Sequence, residues 1–173
     1  RSFTADGWLH TGDQAVIDDG RIRIMGRIKE IIVTSTGEKV PPADLEQAIS
    51  QDPLFPQVFV VGEDRPFIAA VAVAQPAQWQ AIMRDLGLDP HDPASLNHAA
   101  THREALARIQ QLTHAFPRYA VPRAIHLTTE PWTIENGLMT PTLKLKRNQL
   151  MTRYAAEIER LYGRDAEQWQ RHD

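Results

Sequence analysis

Residues 26–46 read GRIKEIIVTSTGEKVPPADLE, and the order of side chains implies strand, tight turn, short second strand and helix. Ile28, Ile31, Ile32 and Val33 supply the β-branched bulk that suits a pleated, half-buried surface, so a strand is expected over residues 28–34. Ser35-Thr36-Gly37 is small and turn-prone, and Gly37 is free to take a positive φ. Pro41-Pro42 fixes the backbone at the start of a helix expected from about Ala43. Asp44 and Glu46 then fall in the first turn, where a carboxylate is stabilised by the helix dipole.

Working outward from this β-turn-β-α unit, Leu45, Ala48 and Ile49 form the apolar stripe of a helix ending near residue 50. Short apolar strands over 58–62 and 67–74 flank a turn at Glu63-Asp64-Arg65-Pro66 and should pair antiparallel. Helices are expected over 78–86 and 102–116, a further strand over 124–127, and a last helix over 147–162. That helix carries Leu150, Tyr154, Ile158 and Leu161 at helical spacing. Upstream, Val16-Ile17 and Ile22-Arg23-Ile24 bracket Asp18-Asp19-Gly20, a three-residue turn that suits a G1 bulge. Arginines alternate with isoleucines there, so one face of the hairpin should be buried and the other wet. The expected class is α+β: a small, mostly antiparallel sheet flanked by helices and preceded by a β-hairpin.

Composition excludes several functions. Nineteen basic against 22 acidic side chains give a net charge of −3, which offers no electrostatic case for nucleic acid. The absence of cysteine removes disulfide and thiolate chemistry and fits a cytoplasmic location. No apolar run has the length of a membrane span. The chain opens Arg-Ser-Phe-Thr-Ala-Asp, with no methionine and no signal-like segment, and is expected to be cut from something longer.

Three stretches, in order, resemble motifs of the adenylate-forming enzymes. Gly7-Trp8-Leu9-His10-Thr11-Gly12-Asp13 looks like the family's ribose-binding motif, and the 26–46 stretch looks like its hinge motif. The stretch from Asn136 to Arg147, with Leu143-Lys144-Leu145-Lys146-Arg147 at its end, resembles the lysine motif in the wording of long-chain acyl-CoA synthetases. The likeness covers roughly residues 6–163. It implies that residues 1–28 are the tail end of a large N-terminal adenylation domain that includes the hairpin. Residues 29–163 would then be the mobile C-terminal domain, and 164–173 a polar tail.

The resemblance assigns roles residue by residue. One ionised carboxylate can accept a hydrogen bond from each of two neighbouring hydroxyls, and Asp13 would do so for the ribose of ATP. By itself, Asp13 could equally cap the turn before the hairpin. Arg27 becomes a second nucleotide contact, with a solvated edge-strand arginine as the alternative. Lys29 falls on the hinge, where the backbone would rotate between two poses. Gly37, Glu38 and Lys39 would line the coenzyme A tunnel during thioester formation, while Glu46 is read as a helix-dipole carboxylate.

Lys144 carries the catalytic assignment. Joining a carboxylate to the α-phosphate of ATP gathers negative charge, and a positioned cation opposing it contributes about 2.7–4 kcal/mol. Leu143 departs from the glycine of many members. Lys146 lies two residues on and, by alternation, on the same face, so it stands as the alternative lysine; composition alone would make the run a solvated helix start. The seven histidines show no metal spacing, and His98 and His102 are read as surface residues. Trp132 is read as a core or rim aromatic.

The resemblance therefore implies the C-terminal part of an AMP-forming long-chain fatty acid–CoA ligase. Its substrates and cofactor would be fatty acid, ATP, Mg2+ and coenzyme A, and its partner the missing N-terminal domain. No metal ligand is expected on this chain, and the fragment alone should be inactive. The alternatives are a ligase for aromatic or shorter acids and a stand-alone α+β binding or regulatory module.

Overall fold

A computed structural model of the chain describes residues 3–163. The expected tail over 164–173 lies outside those residues, as do the side chains of Arg27 and Lys29.

The centre is a three-stranded sheet of β5 (Gln57–Val61), β6 (Ala69–Val73) and β7 (Ala124–Thr128), in the order β5-β6-β7. β5 and β6 pair antiparallel through a tight connection. β6 and β7 run parallel, which requires a long crossover. The helices α2 (Pro76–Asp85), α3 (Pro93–Leu96) and α4 (Ala99–Leu112) supply it. The parallel pairing was not anticipated. The other three pairs, including β1 (Asp13–Asp18) with β2 (Arg21–Arg27) and β3 (Ile32–Val33) with β4 (Lys39–Val40), are antiparallel. The fold is α+β, with a small mostly antiparallel sheet flanked by helices and an N-terminal hairpin.

Every residue of β6 is buried, because helices cover both faces of the sheet. Alternation divides its side chains. Ala70 and Ala72 join Val58, Val60, Ile125 and Leu127 in a core closed by α1 (Pro42–Ile49), α2 and α4. Ala69, Val71 and Val73 join Phe59 and Val61 in a second core. That core is closed by Trp132, Leu138 and the last two helices, α5 (Arg147–Arg153) and α6 (Ala155–Tyr162).

Several local expectations are corrected. Residues Ile28–Glu30 form a 3-10 turn, so the strand expected over 28–34 shrinks to the two residues of β3. The hairpin turn has two residues, Asp19 and Gly20, with φ of 47° and 74°. Positive φ at both positions is what a type I′ turn demands, and it matches strand twist better than the expected three-residue loop. The bulge lies instead between Gln14 and Ala15. Val16, Ile17, Ile22 and Ile24 are all exposed, so neither face of the hairpin is buried within this chain. The expected last helix breaks at Tyr154 into α5 and α6.

His102 is buried rather than on the surface; its Nε2 lies 2.8 Å from Asn97 Oδ1. Asn97 pairs with the main chain of Leu127 at 2.8 and 2.9 Å, covering the outer edge of β7. His98 caps α4 by accepting the Ala100 N–H at 3.2 Å. Trp132 is a core aromatic, only 2% exposed.

Candidate functional site

The lysine motif folds as a hairpin hung from the second core. Asn136 and Thr133 exchange side-chain to main-chain hydrogen bonds at 2.9 and 3.1 Å, and Gly137, at φ 77°, turns the chain. Leu138 is buried, and Met139 bridges Leu145 in antiparallel fashion. Between them the Thr140 N–H donates to the Lys144 carbonyl at 2.8 Å, and the Lys144 N–H donates to Thr140 Oγ1 at 3.0 Å. Leu143 takes φ 58°, a left-handed conformation unusual for a residue with a side chain. Its position is the one where many members of the resembled family carry glycine, which enters this region without steric cost.

Lys144 follows at the tip. Its side chain is exposed and makes no hydrogen bond or ion pair among the described residues. Lys146 sits differently: its N–H donates to the Leu138 carbonyl at 2.9 Å, and its own carbonyl begins α5 by accepting from Gln149 and Leu150.

Arg147 opens α5 and reaches Glu46 of α1, with Nη2 2.6 Å from Oε2. The other Glu46 oxygen accepts the Val60 N–H at 2.9 Å, and the guanidinium lies over the Phe59 ring at 5.5 Å. Burial raises the Glu46 pKa above the usual carboxylate value, against the opposing pull of Arg147 and of the Val60 N–H. The helix-dipole reading of Glu46 is therefore corrected. The helix starts at Pro42, only Asp44 lies in its first turn, and Glu46 is a side chain tying two motifs together. An acidic residue just inside a helix invites the dipole explanation. The signal sequence reasoning passed over was a charged residue one step from a buried leucine.

The 34–39 turn brings Gly37, Glu38 and Lys39 together between β3 and β4. Gly37 takes φ 90°, and the space where a side chain would project is open. The Glu38 carboxylate accepts from the hydroxyls of Thr34 and Thr36, which, with its own N–H, hold its pKa below the usual value. Thr36 and Glu38 help line an open cleft of about 670 Å³, together with Gln110, His114, Arg118, Tyr119 and Arg123. Lys39 begins β4 and is exposed.

Asp13 is half-buried at the start of β1, opposite Arg27 in the register of the hairpin, so the two sequence-predicted nucleotide contacts are neighbours. Its N–H donates to Thr11 Oγ1 at 3.2 Å. Lys29 is the middle residue of the 3-10 turn that follows directly from β2. Among the described residues, no group of three histidine, aspartate or glutamate side chains is arranged to hold a metal, and no helix is long and apolar enough to cross a membrane.

The sequence matches the family described as AMP-binding enzyme C-terminal domain over residues 29–166, and the chain belongs to it. It is 34% identical to the long-chain-fatty-acid–CoA ligase FadD15 of Mycobacterium tuberculosis, over 95% of this chain and 28% of that protein. It is 30% identical to the chloroplastic long-chain-fatty-acid–[acyl-carrier-protein] ligase AEE15 of Arabidopsis thaliana, over 91% of this chain and 22% of that protein. Its fold is similar to the A-PCP didomain of the carboxylic acid reductase from Segniliparus rugosus, solved with AMP. There the TM-score is 0.79 and the identity 29%, over 96% of this chain and 22% of that one. The chain thus spans about a quarter of the length of the relatives it matches.

Proposed function

We propose that this chain is the mobile C-terminal part, with the last segment of the preceding domain, of an AMP-forming ligase that activates long-chain fatty acids and passes them to coenzyme A. The boundary is placed near residue 28, where the exposed hairpin gives way to the two-layered core. In the first half-reaction a carboxylate oxygen attacks the α-phosphorus of ATP and the bond to the departing pyrophosphate breaks. Lys144 opposes the charge that gathers where the two anions meet. Asp13 and Arg27 hold the nucleotide. In the second half-reaction the thiolate of coenzyme A attacks the acyl carbon and AMP leaves. Rotation at Lys29 withdraws Lys144 and presents Gly37, Glu38 and Lys39 in its place. Magnesium would enter as the counter-ion of ATP.

The observation that carries this reading is the lysine hairpin. A cation without a partner among the described residues follows a left-handed residue at the tip of a loop hydrogen-bonded through Thr140. The register of that left-handed residue with the family's glycine favours Lys144 over Lys146. Similarity to the long-chain ligases of Mycobacterium tuberculosis and Arabidopsis thaliana supports the acid class. The Arabidopsis relative, named for a carrier-protein acceptor, makes that thiol the second reading of the same chemistry.

The test is Lys144→Ala in the full-length enzyme, with the half-reactions assayed apart. Acid-dependent exchange of pyrophosphate into ATP should fall about a hundredfold or more. Transfer from preformed acyl-AMP to coenzyme A should change little. Equal losses in both, or no loss, would remove Lys144 from the role. The 173-residue chain alone should form no acyl-CoA.

A further inference from the structure

Both ends of the lysine hairpin return to the same strand. Ahead of it, the Gln57 carboxamide pairs with the Trp132 main chain, donating to the carbonyl and accepting from the N–H, each at 2.8 Å. Gln57 Nε2 also lies 3.1 Å from the Met139 sulfur, at the base of the hairpin. Behind it, Arg147 is three residues from Lys144 and is held by Glu46, which is itself bonded to Val60. Gln57 and Val60 both belong to β5, the strand at the sheet's edge. The hairpin is therefore clamped at two points on one rigid element, with only its tip free.

The two clamps differ in chemistry. The first is an amide matched to a main chain. The second is a carboxylate whose two oxygens have separate duties, one on an N–H and one on a guanidinium lying against an aromatic face. The Glu46 side chain is 13% exposed and that of Arg147 22%, so water competes little for the pair. An arginine so held fixes both the direction of the first turn of α5 and the segment Leu145-Lys146 leading into it.

We propose that Glu46 is a positioning residue for Lys144, acting through Arg147: it sets where the hairpin tip lies when the domain swings onto the adenylation site. The proposal rests on the reading of Lys144 given above. Displacing a reacting group by about 1 Å can cost on the order of a hundredfold in rate, so a clamp three residues away has the leverage this role needs.

Glu46→Gln is the sharpest variant, since it preserves the shape and the oxygen that accepts from Val60 while removing the charge that holds Arg147. Arg147→Lys approaches the pair from the other side, keeping the charge and losing the fork, so the test does not depend on one variant folding. Each is made in the full-length enzyme, alone and combined with Lys144→Ala, and both half-reactions are measured. The expected result is a fall of about tenfold or more in the ratio of adenylation to thioester-forming rate. In the Lys144→Ala background that fall should disappear, because a residue acting only through Lys144 has nothing left to position. Equal losses in both half-reactions, or a loss that persists without Lys144, would make the ion pair merely structural and overturn the proposal. A Lys144→Ala enzyme that still adenylates normally would instead overturn the reading of Lys144, and this inference with it.

Discussion

The indole nitrogen of Trp132 donates to the hydroxyl of Tyr154 at 3.0 Å, joining the segment before the lysine hairpin to the break between α5 and α6. Both residues are buried. Tyr154→Phe leaves the indole N–H without its acceptor at nearly constant shape. The expected destabilisation is about 1–3 kcal/mol, the cost of an unsatisfied buried donor. Urea unfolding of the chain, followed by tryptophan emission, measures it; a variant as stable as the parent would show that the bond contributes nothing.

Leu143 offers the opposite kind of change. Its left-handed backbone costs a residue with a Cβ about 1–2 kcal/mol. Leu143→Gly removes that cost and returns part of it as chain entropy in the unfolded state. A net gain of up to about 1 kcal/mol is expected, read as a small rise in Tm, whereas Leu143→Val should lower it. The reverse order would refute the strain.

Acid should weaken the fold through His102. Burial first, then the charges of His126 and His98, push its pKa down to about 4 from an ordinary 6.5. The folded state thus resists a proton that the unfolded chain accepts. Stability from this source is complete above about pH 6.5 and is lost as pH falls toward 4, by roughly 3 kcal/mol at most. His102 lines a small cleft of about 200 Å³, separate from the one beside Glu38, whose other titratable and charged groups are His126 on β7 and Glu157 and Arg160 on α6; His126 is itself pushed down by burial. Unfolding free energies between pH 7.5 and 4 should show the slope, and His102→Gln should flatten it.

At the proposed hinge, Lys29→Pro should trap one pose in the full-length enzyme. Lys29 is the middle residue of the 3-10 turn between hairpin and core, where a fixed φ removes the rotation. Thioester formation from acyl-AMP should fall by about tenfold or more while pyrophosphate exchange survives. Unchanged thioester formation would place the hinge elsewhere.

Local chemistry decided how much of this was legible. From residue 42 onward the main helices were legible as apolar stripes, and β5 and β6 as continuous apolar runs, because helices cover both faces of their sheet. The 28–34 strand was not. Its isoleucines promised a ladder, yet only two residues find a partner in β4, and the preceding three coil into the turn where the hinge is expected. The hairpin faces misled for a different reason: alternation states which side could be buried, but burial needs a covering element. The parallel pairing of β7 and the reach of Glu46 to Arg147, 101 residues away, are long-range facts with no local mark. Among the proposed site residues, the family wording pointed to Lys144; only the backbone shows that a leucine stands uneasily before it.

The central strand has one more consequence. β6 is built of alanine and valine alone, so at this strand no large side chain can yield between the two helical layers. Strand parity then decides which layer feels a change. A bulkier residue at 70 or 72 would push on α1, α2 and α4, and so reach the lysine hairpin only through the Glu46–Arg147 pair. The same enlargement at 69, 71 or 73 would press on Trp132, Leu150 and Tyr154. Drift in this strand is thus sorted by odd and even position into changes felt directly beneath the lysine hairpin and changes that reach it only by way of α1.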